Sequence, residues 1–177
     1  MLIPTKSFFV RSKREKKRFF SEGGQSIIEA LVAISFLVVG FMAVLSLLGR
    51  SLSLNRSSTD SYTATYLATE GIEVAKNIFD ENALRRDAWN DGFAAGDYEV
   101  EYDSNSLREN RNRFLAYDSN RHVYRYGGSG QTPFMRIIRV TPVGQNEIKI
   151  NSIVSWTGLG GGSFQVNLED HFMNWRN

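Results

Sequence analysis

The chain has 177 residues, a formal net charge of +2 and no cysteine. That length holds one domain with an appendage, since domains commonly run to ~100–150 residues. The missing cysteine excludes disulfides, a thiol nucleophile and zinc-thiolate sites together.

Residues 1–24 form a basic segment in which Lys6, Arg11, Lys13, Arg14, Lys16, Lys17 and Arg18 stand against Glu15 and Glu22. Taking these seven and two from the 21 basic and 19 acidic residues of the chain leaves 14 and 17, so the remainder carries −3. The excess positive charge therefore belongs to this segment, and no nucleic-acid partner is indicated for the rest.

Residues 27–48 read IIEALVAISFLVVGFMAVLSLL, with Glu29 as the one charge. At about 1.5 Å per residue such a helix spans roughly 33 Å, enough for one bilayer crossing. The basic run just before it predicts that residues 1–24 stay in the cytoplasm and that the C-terminus lies outside. A secretory signal has an apolar region of only ~7–15 residues followed by a small-x-small site, so this longer segment is expected to remain in the mature chain.

Residues 51–61 are rich in Ser, Asn and Thr, poor helix formers, and should be the weakest part of a continuing helix. From there Ala64, Leu67, Ala68, Gly71, Val74, Ala75 and Ile78 recur at spacings of three and four, an apolar stripe along one helical face. Tyr62, Tyr66, Thr69, Glu73, Lys76 and Asp80 fall on the other side. Small residues in the stripe permit a close approach by a flat surface such as a sheet.

Beyond Asp80 the period changes to two, at 98–102, 122–126, 134–140, 148–156 and 163–168. Alternation with Val, Ile and Tyr argues for antiparallel strands, with turns at 127–130, 143–146 and 158–162. The expected architecture is α+β. A helix over 25–80, crossing the membrane at about 27–48, packs its distal half on a sheet of four or five antiparallel strands within residues 81–177.

Signs of catalysis are lacking, and no catalytic residue is nominated. His122 and His171 have no spaced metal-ligating companions, the glycine clusters lack a phosphate-loop pattern, and no acidic run has the alternation of a calcium loop. No metal and no cofactor are expected.

The unusual feature is the run from Gly24 and Gln25 through Ser26, Ile27 and Ile28 to Glu29 and the apolar block. Glycine lets the backbone enter a protease cleft extended. An ionisable group inside an apolar span costs on the order of ~3 kcal/mol at the bilayer centre, so Glu29 reads as functional.

This segment resembles the prepilin cleavage and methylation motif of type IV pilins and type II secretion pseudopilins. The resemblance implies cleavage between Gly24 and Gln25 by a membrane-embedded prepilin peptidase, with residues 1–24 as the leader. It also implies N-methylation of Gln25 and a role for Glu29 in assembly, through a free N-terminal amine. The family usually has phenylalanine where this chain has Gln25, and an N-terminal glutamine can instead cyclise. Residues 29–48 and the TYLATEGIEVAKN stretch are similar to minor pilins of the pilus-modification type. The implied partners are the prepilin peptidase, other pilin subunits, the cytoplasmic membrane and the pilus assembly machinery. The implied location is the inner membrane, single-pass, and then an extracellular filament. The pseudopilin of a type II secretion system is the alternative with the same motif. An anchored extracytoplasmic enzyme would show a substrate-sized pocket lined by convergent Asp, Glu or Tyr side chains, and a permanently anchored adhesin would keep its leader.

Overall fold

The computed structural model describes residues 22–85, 88–158 and 160–175. The fold is α+β: one long N-terminal helix, α1 (Glu22–Arg85), packed by its distal part on an antiparallel sheet. The strands are β1 (Gly96–Glu99), β2 (Arg108–Glu109), β3 (Phe114–Asp118), β4 (Val123–Tyr126), β5 (Gln131–Pro142), β6 (Glu147–Thr157) and β7 (Ser163–Met173). The chain divides into two compact units, Met1–Arg50 and Ser51–Asn177, with the division inside α1.

In the first unit every described side chain from Gln25 onward is exposed. This stretch belongs to α1, the one helix among the described residues that is long and apolar enough to cross a membrane. Residues 1–21 of the expected leader lie outside the described residues. Helix α1 takes in Glu22, Gly23 and Gly24, three residues ahead of the expected start at Gln25. Adding a residue to an existing helix fixes one pair of dihedrals for one hydrogen bond, which is far cheaper than nucleation, so the glycines follow the strong helix behind them.

In the second unit the polar stretch 51–61 is helical throughout. The hydroxyls of Thr59, Ser61, Thr63, Thr65 and Thr69 each donate to the carbonyl four residues back, at 2.9–3.0 Å. They satisfy themselves on the helix instead of competing with it. All seven residues of the expected stripe are buried, and Tyr62, Tyr66, Thr69, Glu73, Lys76 and Asp80 are exposed. The helix also runs five residues past Asp80. Phe79 packs edge-on against Trp89 and Phe93, and buried Asn82 donates Nδ2 to the Asp91 carbonyl at 2.7 Å. Together they hold the last turns to the loop that follows.

Strand β5 organises the sheet. One edge pairs along its length with β6, while the other is shared by β1 opposite 138–140 and β3 opposite 131–135. Strands β2 and β4 extend β1 and β3, and β7 pairs with β6 over eleven residues and forms an outer edge. Among the described residues the sheet thus has seven strands, not four or five. Strand β3 escaped the alternation test because its register shifts between Phe114 and Ala116, which buries Leu115 and Ala116 in succession. Strand β1 covers 96–99 where 98–102 was expected, since residues 101–104 close a turn in which Ser104 Oγ accepts the Glu101 amide at 2.8 Å. The glycine turns stand as expected, with Gly127, Gly144 and Gly161 at φ of 80°, 76° and 78°, a region that favours glycine.

The core is two clusters. One gathers Val74, Ile78, Phe79, Phe93, Ile138 and Phe172, and the other Leu67, Leu115, Tyr126, Phe134, Val154 and Trp156. On each element the residue between the clusters is polar or minimal: Gly71 on α1, Arg136 on β5 and Ser152 on β6.

Candidate functional site

Glu29 lies on α1 four residues after Gln25, and both side chains are exposed. Residues i and i+4 share a helix face about 6 Å apart along the axis, so the two form one polar step on an otherwise apolar surface. Ile27, Ile28, Leu31 and Val32 around them are 49–65% exposed. From Gln25 through Gly49 no other charge occurs, and Ser35 donates its hydroxyl to the Leu31 carbonyl at 2.7 Å. Chemically the step offers a carboxylate to a cation and a carboxamide next to the Gly24–Gln25 peptide bond. That bond lies in the first turn of α1, whose leading N–H groups have no intrahelical acceptor, so opening it locally breaks few hydrogen bonds. The two glycines lower the cost further, by about 1 kcal/mol each relative to alanine.

The second polar constellation is buried in the second unit. Arg136 is fully enclosed; its Nη1 donates to the Leu67 carbonyl at 2.9 Å and to Glu70 at 3.0 Å, and its Nη2 to the Val100 carbonyl at 2.6 Å. A few residues away Glu99, 1% exposed, accepts the Arg111 amide at 2.8 Å and the Arg113 guanidinium at 2.6 and 3.0 Å. Burial raises the Glu99 pKa, but Arg113 and the Arg111 and Arg113 amides outweigh it, and the carboxyl is held below its ordinary value. The Arg113 guanidinium sits 4.6 Å above the Tyr126 ring. Burial pushes the Tyr126 phenol up to about 12, and its hydroxyl donates to the Arg136 carbonyl at 3.2 Å. Each charge here is spent on a partner, and no nucleophile is present; the arrangement fixes how helix and sheet meet.

Arg136 was missed as an inward residue, although the signal was present: it shares the period-two phase of Phe134, Ile138 and Val140. The Glu99–Arg113 pairing joins two loop-flanked positions and had no signal. His122 Nδ1 lies 3.0 Å from the Tyr117 hydroxyl, and His171, between Glu147 and Glu169 on the outer face of the sheet, has its pKa raised by those carboxylates. Among the described residues no group of three His, Cys, Asp or Glu side chains is placed to hold a metal ion. Two surface concavities stand out. A groove of about 310 Å³ runs between Arg56 and Asp60 of α1 and Trp156 and Phe164, and a polar pocket of about 560 Å³ lies between residues 116–120 and 127–132. Neither converges catalytic groups. Comparison of the chain with protein-family models, curated proteins and solved structures finds no match.

Proposed function

We propose that this protein is a minor subunit of a type IV pilus-like filament, made as a membrane-anchored precursor and cut between Gly24 and Gln25. The observation that carries the reading is Glu29: the one carboxylate in the exposed apolar run of α1, four residues after Gln25 and five after the glycine pair. In lipid such a charge is a cost, and its presence is accounted for if it later meets a cation. The N-terminal ammonium created by cleavage is the nearest source of one.

On this reading the apolar stretch serves twice, holding the precursor in the cytoplasmic membrane and then packing among other subunits. Exchange of lipid for protein neighbours is nearly neutral in hydrophobic terms, so the choice of neighbour falls to the carboxylate and the amine. An unpaired charge in that core would cost several kcal/mol, which makes the pair a register device. The second unit, with its tightly docked helix and seven-stranded sheet, is the part displayed outside.

The test is processing. Co-expression with a prepilin peptidase that cleaves a control prepilin should yield a chain whose first residue is Gln25. Gly24→Leu should abolish cleavage by obstructing the cleft. An intact leader beside active peptidase rejects the proposal. A processed chain found only with a secretin-linked secretion system, and absent from sheared pili, would assign it to the pseudopilus instead.

A further inference from the structure

We infer that Gln25 is a modification site, at which the mature N-terminus closes into a five-membered lactam and the subunit thereby loses its only N-terminal charge. The inference rests on the proposed cleavage, and it goes beyond it in assigning a chemical fate to the new terminus.

Glutamine is the one amide whose own side chain reaches its α-amine in an unstrained ring. Once the Gly24–Gln25 bond is cut, the neutral Gln25 amine attacks its own Cδ, an N–Cδ bond forms, the Cδ–Nε2 bond breaks and ammonia leaves. No oxidant, reductant or co-reactant is consumed. The Gln25 side chain is exposed in the first turns of α1 and has no hydrogen-bond partner among the described side chains, so none of these opposes the ring closure.

Glu29 governs the rate. Attack requires the unprotonated amine, and a carboxylate one turn along the same face stabilises the ammonium. While Glu29 of the same chain or of a neighbour pairs with the terminus, cyclisation is suppressed; when Glu29 is absent or engaged elsewhere, it proceeds. The lactam keeps Glu29 as an acceptor but has no cation to offer. In a chain of amine-to-carboxylate contacts such a subunit is competent on one side only, which suits an end position.

The experiment is peptide mass spectrometry of the N-terminus of full-length protein matured in cells with an active prepilin peptidase. A synthetic peptide with the same uncyclised terminus is carried through the same preparation. The expected result is a terminal peptide lighter by one ammonia than free Gln25, in excess of the synthetic control. Glu29→Gln should raise the lactam fraction several-fold, and Gln25→Phe should abolish it in whatever part of that variant is cleaved. A cleaved chain with a free or methylated amine, or lactam only at the control level, overturns the inference and leaves the proposed function standing. An intact leader overturns both.

Discussion

A Cβ built on Gly71 would stand 2.4 Å from Ser152 Oγ and 2.8 Å from Ile138 Cδ1, so the helix touches the sheet at a point where no side chain fits. Alanine is a better helix former than glycine by about 1 kcal/mol, yet Gly71→Ala should destabilise the protein by about 1–3 kcal/mol because the gap must open. Ser152 Oγ is buried with no hydrogen-bond partner, so Ser152→Gly in the same chain should recover part of the loss. Thermal unfolding of the detergent-solubilised chain measures both. A stabilised Gly71→Ala variant would show that the helix can lift without cost.

Arg136 joins the carbonyls of Leu67 on α1 and Val100 just past β1 through one planar fork. Lysine keeps the charge but cannot span both, so Arg136→Lys should cost about 1–3 kcal/mol. Glu70 is nearly one-third exposed, and Glu70→Gln should cost less than 1 kcal/mol, as ~0–1 is the range for solvent-accessible pairs. Equal losses from the two variants would show that the ion pair, not the carbonyl bonds, holds this layer.

Glu99 supplies a pH dependence whose sign is fixed by its lowered pKa. Its contribution is fully present above the ordinary glutamate range and is lost as pH falls through the depressed folded value. Glu99→Gln should therefore be less stable than wild type by about 1–3 kcal/mol at neutral pH, hydrogen bonds to charged groups being of that order. The two stability curves should converge below pH ~4, since the unfolded carboxyl titrates there. Denaturant titrations across the acid range check this, and a difference that persists unchanged would assign the loss to packing.

On the filament reading, Glu29→Gln should leave membrane insertion and leader cleavage intact, because it removes a charge that lipid disfavours. The variant subunit should accumulate in membranes and fall at least several-fold in sheared filaments at equal expression. Quantitative immunoblotting of the two fractions decides it. Entry at the wild-type level would remove Glu29 from assembly.

The helical stripe was legible because burial on one face of a helix imposes its period directly: each residue from Ala64 to Ile78 named for it is buried. Strands β5 and β6 were legible for the same reason at period two. What escaped lies where two constraints overlap. At β3 a register shift buries neighbours in sequence, and at Arg136 a charged residue takes an apolar phase because carbonyls 69 and 36 residues away accept from it. Pairings so distant leave no local pattern. The Gln25 and Glu29 step was readable only as composition, a single charge in an apolar run, and the structure adds that the two are exposed on one continuous helix.

On the membrane-anchored reading, the hydroxyl ladder of Thr59, Ser61, Thr63, Thr65 and Thr69 stands outside the bilayer, since Arg50 and Arg56 separate it from the apolar run. Those hydroxyls donate to their own backbone, so the stretch between the arginines and the docked stripe presents little unmet polarity. The long arginine stems let the guanidinium heads reach toward the headgroups, which would set the depth of such a span by side-chain reach and not by a sharp edge.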